Sequence, residues 1–202
     1  AAQAAQAAEV PGGEVLGATV LVDHASPPLT DVLRDMLKFS TNLTAEAVGM
    51  TASGAPTQAA SAQMMTAWAA ERLGMTSTFG DHSGLGPVSR VTPLDMAEAI
   101  VAALKTPGGA RLPEVLRDLK MRDEKGDPAK ESPIRVAGKS GTLNFVSGLA
   151  GIISPPSGKD MVFAIFSADV ARRDALPMEE REDPPGGHAW LTRARKLQGR
   201  LI

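Results

Sequence analysis

The sequence predicts an α+β domain in which helices cover an antiparallel sheet, and three patterns predict it. Apolar residues recur at helical spacing through the middle of the chain, and three β-type runs separated by turn residues follow them. A basic amphipathic segment, spaced as a helix, closes the chain.

The elements follow in order. Residues 1–13 (AAQAAQAAEVPGG) are Ala- and Gln-rich and end in Pro-Gly-Gly, which reads as a disordered tail or linker ahead of one domain over 14–202. They lack the basic start and long apolar centre of a secretory signal, so the chain is expected to be a mature or truncated product. Glu14 to Asp23 is β-branched and apolar and predicts a strand. A cap at Leu29-Thr30-Asp31 then opens a helix that carries Val32, Leu33, Met36 and Leu37 and ends near Phe39-Ser40. Pro56 to Leu73 begins with proline and stops at Gly74, a long helix whose Trp68 and Met64-Met65 are expected inward. Thr92-Pro93 starts a helix to Leu104 with Leu94, Met96, Ala97, Ile100 and Val101 on its buried side, and Leu112 to Leu119 predicts a shorter one.

Met121 to Ser132 is charged and bears Gly and Pro, an exposed connection between helices and strands. Ile134 to Leu143, Val146 to Ser154 and Met161 to Ala168 predict a meander, with Pro155 to Asp160 as a hairpin turn. After a polar stretch from Pro177 to Gly187, His188 to Leu201 predicts a helix. Its Trp190, Leu191, Ala194, Leu197 and Leu201 would face the sheet and its Arg193, Arg195, Lys196 and Arg200 water.

Composition narrows the function classes. The 202 residues include no cysteine, which excludes disulfides, thiolate metal sites and thiol catalysis while leaving the compartment open. With 21 Lys+Arg against 23 Asp+Glu and 3% aromatic residues, the chain has neither the basic field nor the stacking platform of a nucleic-acid binder. No apolar run approaches the roughly 20 residues of a membrane-spanning helix. His24, His82 and His188 are scattered without metal-ligand spacing, so no metal or cofactor is expected.

Three polar clusters remain. Lys139-Ser140-Gly141-Thr142 ends a predicted strand, where alternation puts Lys139 and Gly141 on one face and Ser140 and Thr142 on the other. A cation, two hydroxyls and a glycine that admits another backbone suit a carboxylate-binding rim, although the tetrapeptide alone reads more readily as a strand ending in polar residues. Ser40-Thr41-Asn42 at a helix end combines a hydroxyl able to pass a proton with a carboxamide that donates and accepts, or simply caps the helix. Asp81 to Gly86 (DHSGLG) is a Gly-rich turn between helices and departs from the GxSxG elbow at position 81.

Taken together the clusters are specific. SxN and K[TS]G, in this order, are two of the three signatures of penicillin-recognising serine enzymes. KFSTNLTAEAV (Lys38 to Val48), DHSGLGPVSRVTP (Asp81 to Pro93) and AGKSGTLNFVSGLAG (Ala137 to Gly151) resemble segments of the D-alanyl-D-alanine carboxypeptidases that also act as endopeptidases, peptidase family S13. The resemblance runs from about Gly17 to the C-terminus. It departs where His82 stands for the usual Gly, Gly86 for Ser and Ser140 for Thr.

The resemblance implies a β-lactamase/DD-peptidase-like transpeptidase fold, an antiparallel sheet covered by helices, and periplasmic location. It implies a serine peptidase that cleaves between two D-alanines of peptidoglycan stem peptides through an acyl-enzyme, and that β-lactam antibiotics acylate. Ser40 would relay a proton, Asn42 would bind the substrate's amide backbone, and Lys139, with Ser140 and Thr142, would hold its carboxylate. Gly141 would line the substrate strand, and the Thr142 N–H would form half of an oxyanion hole. The nucleophilic SxxK motif is absent, since no serine has lysine three residues on. The chain is therefore expected to be the C-terminal part of the penicillin-binding domain, inactive alone, with an N-terminal part of the same protein carrying the serine. Two rivals stand beside this reading. A catalytically inactive module would bind peptidoglycan peptides without cleaving them, and a purely structural domain predicts that Ser40, Asn42 and Lys139 do not converge.

Overall fold

The computed structural model describes residues 22–120 and 132–202. Helices come first: α1 Leu29–Phe39, α2 Asn42–Ser53, α3 Gln58–Leu73, α4 Pro93–Leu104 and the single turn α5 Leu112–Val115. A short strand β1, Arg117–Asp118, leads into the meander β2 Arg135–Leu143, β3 Val146–Ser154 and β4 Met161–Ala168. The chain ends in α6 Val170–Asp174 and α7 Gly187–Leu201. The sheet is antiparallel in the order β1-β2-β3-β4.

Local chemistry accounts for the boundaries. Thr57 and Thr92 accept hydrogen bonds from the third residue on and cap α3 and α4, and Pro93 occupies the first turn of α4. Gly54 and Gly74 close α2 and α3 in the left-handed conformation. Asn144 and Phe145 alone join β2 to β3, and Phe145 takes a φ of 61° while its side chain is fully buried. Its ring meets Trp190 of α7 edge-on at 6.1 Å, and the Arg172 guanidinium covers it at 4.2 Å.

Ala69, Met75 and Ala99, flanked by Leu73, Phe79 and Val91, form a core that joins α3 to α4. In the sheet half the buried apolar residues include Val136, Phe145, Ile152 and Ala194, with Val136 and Ile152 on opposite faces of the sheet. Asp95 of α4 pins the segment after α3 by accepting from the Thr76 N–H at 2.9 Å and from the Ser77 hydroxyl. Those bonds, the Ser77 hydroxyl's first, hold its carboxyl below the usual carboxylate range.

Several sequence expectations need correction. The 112–119 helix lasts only to Val115, because Arg117 and Asp118 pair with Gly138 and Ala137 of β2. Trp68 and Met64 of α3 face outward, at 56% and 49% exposure. Its buried positions are the small Ser61, Ala62 and Ala69, which admit close helix approach. On α4 the buried residues are Asp95 and Ala99, while Leu94 and Val101 are exposed. On α7, Leu197 and Leu201 are exposed and Gln198 takes the inward place, where its carboxamide satisfies backbone groups of the sheet. Helix α2 was not expected, and α6 replaces loop. The strand read over 14–23 falls largely outside the described residues, as do the 1–13 tail and all but Ser132 of the charged connection.

Candidate active site

Ser40 sits at the C-terminus of α1 with φ 55° and ψ 49°, a left-handed conformation that costs a non-glycine residue about 1–2 kcal/mol. Its N–H donates to Met36 O, and α2 starts two residues later, so Ser40, Thr41 and Asn42 form one exposed corner between two helices. The Arg34 guanidinium ties α1 to α5 by donating to Glu114 O at 3.2 Å.

β2 brings the second cluster to this corner. Half-buried Lys139 donates from Nζ to Ser40 Oγ at 2.5 Å and to Ser140 O at 2.6 Å, across 99 residues in the first case. The hydroxyl and the ammonium thus converge, as a purely structural domain would not require. Asn42 opens α2 two residues after Ser40, exposed, and among the described residues its carboxamide makes no hydrogen bond. Burial, and then the positive charge of Arg117, hold the Lys139 ammonium below the ordinary lysine range.

The edge of β2 is open at the same place. β1 pairs only with Ala137 and Gly138, and the Leu119 N–H donates to Val136 O at 2.8 Å. Backbone groups of an antiparallel strand alternate between its two edges, so those of Ser140 and Thr142 turn to the same side as Val136. Beyond Gly138 no strand occupies that side among the described residues. A methyl group built on Gly141 meets no atom within 4 Å, which leaves clear space beside the edge. Such an edge can accept an extended peptide by main-chain hydrogen bonds. Thr142 and Ser147 are directly opposed, hence on one face of the sheet, and the Thr142 hydroxyl accepts from Arg195 of α7 at 3.2 Å.

The loop over 81–86 packs behind the corner. Asp81 accepts from the N–H groups of Gly84 and Gly86, both at 2.5 Å, and a methyl at position 86 would lie 2.3 Å from its Oδ2. Gly86 is the residue this grip allows. Glu46 of α2 accepts from the N–H groups of His82 and Ser83 at 3.2 and 2.9 Å through Oε1, while its buried Oε2 has no partner among the described residues. The His82 ring fills the space over Gly49, where a methyl would sit 2.2 Å from Cγ, and its Nε2 lies 2.7 Å from buried Ser61 Oγ. His82 is therefore a packing residue with one hydrogen bond.

Sequence reasoning missed Glu46 and Arg195. Glu46 was legible only as part of the Ala-Glu pair after SxN, and Arg195 is one of four basic residues on a face assigned to water.

The model of the D-Ala-D-Ala carboxypeptidase 3 (S13) family matches residues 6–184. The chain belongs to that family. Among curated protein sequences none matches it. Solved structures place its fold with penicillin-binding proteins and β-lactamases. Penicillin-binding protein 4 of Haemophilus influenzae, complexed with a β-lactam, is similar at a TM-score of 0.59 and 22% identity, over 88% of this chain and 42% of that one. A predatory endopeptidase of Bdellovibrio bacteriovorus, in complex with an immunity protein, gives 0.56 and 22% over 87% and 43%. A D-alanyl-D-alanine carboxypeptidase of Mycobacterium tuberculosis gives 0.52 and 20% over 90% and 70%. The S13 chain thus spans about two fifths of the length of the Haemophilus protein.

Proposed function

We propose that this chain supplies the SxN and KSG half of a serine-type D-Ala-D-Ala carboxypeptidase/endopeptidase acting on peptidoglycan stem peptides, and that a preceding segment of the same protein supplies the SxxK serine. The observation that carries the reading is the Lys139 ammonium on the Ser40 hydroxyl, beside a strand edge that is unpaired among the described residues. Family membership and the absence of SxxK support it.

In this reading the stem peptide adds as a strand along Ser140–Thr142. The serine hydroxyl attacks the carbonyl between the D-alanines, and its proton passes by way of Ser40 to the departing amine. The peptide bond breaks, D-alanine leaves, and water hydrolyses the ester and restores the serine. The oxygen that turns negative on the way accepts from the Thr142 N–H and from the serine's own N–H, a contribution of about 3–4 kcal/mol for a single such donor. Asn42 holds the substrate amide. Lys139, Ser140 and Thr142 bind the carboxylate next to the scissile bond, and the Lys139 charge keeps the Ser40 proton mobile. The site belongs to the periplasm, where stem peptides are.

Labelled penicillin tests the reading. It is expected to acylate the polypeptide extended by the SxxK segment and not the 202-residue chain. Acylation of the chain itself would overturn the assignment of the nucleophile, and failure of the extended protein would favour the inactive recognition module. Intact-mass measurement of material purified from the native cell is expected to reveal the preceding segment, joined or co-purifying.

A further inference from the structure

Helix α2 gives Asn42 little local support. Among the described residues Thr41 caps the helix without a side-chain hydrogen bond, the first turn holds no acidic residue, and no residue of α2 is fully buried. The first N–H groups of a helix have no partner inside it, so an uncapped first turn frays. A carboxamide that is to meet a ligand in one orientation needs a tie from elsewhere.

Spacing along the helix locates that tie. Asn42, Glu46, Gly49 and Ser53 recur at intervals of four, three and four residues and so lie on one face of α2. Three of them meet a single hydrogen-bonded seam. Ser53 Oγ lies 2.7 Å from Oγ of fully buried Ser61, which in turn is 3.2 Å from Gly49 O and 2.7 Å from His82 Nε2. The His82 and Ser83 N–H groups then donate to Glu46 Oε1. The seam thus runs from α3 through the 81–86 loop to Glu46 and ends one helical turn short of Asn42. Asp81 stiffens the loop from within by accepting from the Gly84 and Gly86 N–H groups. Glu46 is committed to this contact: Oε2 is buried without a partner, and among the described residues no cation pairs with the carboxylate. A carboxylate oxygen buried unpaired costs free energy, which the two N–H bonds on Oε1 offset.

We propose that Glu46 is a positioning residue: by gripping the backbone of His82 and Ser83 it fixes the first turn of α2 and, through it, the direction of the Asn42 carboxamide. The inference rests on the proposed reading of the site, in which Asn42 holds the substrate amide.

The test uses the extended, SxxK-bearing polypeptide. Stopped-flow measures the rate of acylation by penicillin, and end-point labelling counts the folded sites. Glu46→Ala is expected to slow acylation by about 10- to 100-fold, the size of a misplacement of about 1 Å. Glu46→Gln keeps a carbonyl oxygen for the two N–H groups and is expected to recover most of the rate. The deciding readout is the background. In Asn42→Ala, which has already lost its own share of the rate, adding Glu46→Ala is expected to slow acylation further by less than about twofold. Asp95→Asn, which loosens the tie of α4 to Thr76 and Ser77, is the control and is expected to lower Tm at an unchanged rate.

Equal slowing by Glu46→Ala with and without Asn42 overturns the inference, since it marks a general loss of structure, and leaves the reading of the site intact. A Glu46→Ala protein that labels fully at the wild-type rate does the same. If Glu46→Ala does not fold, Glu46→Asp, which draws the carboxylate back by one methylene, decides in the same two backgrounds. An Asn42→Ala protein acylated at the wild-type rate overturns the role given to Asn42, and the inference with it. A wild type that does not label overturns the whole reading.

Discussion

The two halves of the candidate site are supported in different ways. The Lys139 half stands on a sheet whose Val136, Phe145 and Ile152 are at most 1% exposed and which α7 clamps through Gln198. The Ser40 half stands on α1 and α2, neither of which buries a single side chain fully, and Leu29, Phe39 and Leu43 are 62–84% exposed around it. One half carries its own core, whereas the other is held by a few polar ties. The site depends on a rigid strand that presents charge and backbone to a helix corner with little packing of its own.

The largest expected effect breaks the contact between the halves. In the extended polypeptide, Ser40→Ala is expected to slow penicillin acylation by about 100- to 10,000-fold, the range for a positioned proton-transfer group. Lys139→Ala is expected to cost a comparable factor. Because each acts through the other, the double variant should lose much less than the product of the two losses. Multiplying losses in stopped-flow acylation would mean that the two groups act independently. The pH profile sharpens the point. Burial and Arg117 lower the Lys139 pKa, so the alkaline limb of the rate should begin below the ordinary lysine range. For stability the sign is opposite to that of a paired lysine. The charged form is penalised in the fold at pH below the folded value, and the penalty is relieved as pH rises from the folded pKa to the unfolded one.

Next in size is the sheet core. Phe145→Ala removes a fully buried ring and its edge contact with Trp190, and is expected to lower unfolding free energy by about 3–5 kcal/mol in urea denaturation. A loss under about 1 kcal/mol would mean that the sheet half is no better packed than the helical corner.

The loop behind the corner gives an intermediate effect. Gly49→Ala drives a methyl into the His82 ring and is expected to cost about 1–3 kcal/mol. His82→Gly vacates that volume and leaves Ser61 with Ser53 and Gly49 O as partners, so the pair Gly49→Ala/His82→Gly should be more stable than Gly49→Ala alone. Additive losses in thermal denaturation would show that the ring does not occupy the space over Gly49.

The sequence made much of this legible. The ends of α1 and α4, the limits of β2, β3 and β4 and the Pro155–Asp160 turn all follow from caps, alternation and Gly/Pro punctuation, which are local signals. The pairing of Ser40 with Lys139 was legible only because two motifs occur together, since nothing local links residues 99 apart. The inward faces of α3, α4 and α7 were legible only in part, as at Ala194, which is buried as its spacing predicts. There the buried positions go to Ser61, Asp95 and Gln198, polar residues whose hydrogen bonds are made by distant segments, while Trp68 and Leu197 are left outside. Helix α2 escaped because its apolar residues are spread around the axis rather than along one face.

The smallest expected effect concerns the face that the corner leaves open. Leu43 is 84% exposed one residue after Asn42, and in the 202-residue chain Leu43→Ser is expected to change stability by no more than about 0.5 kcal/mol. If the SxxK-bearing segment packs over α1 and α2, as the proposed reading requires, the same substitution in the extended polypeptide buries a hydroxyl where a methyl-rich side chain belonged. A loss of about 1–3 kcal/mol is then expected there. Equal, negligible losses in both proteins would place the covering segment elsewhere, and the helical corner would have to hold Ser40 with its polar ties alone.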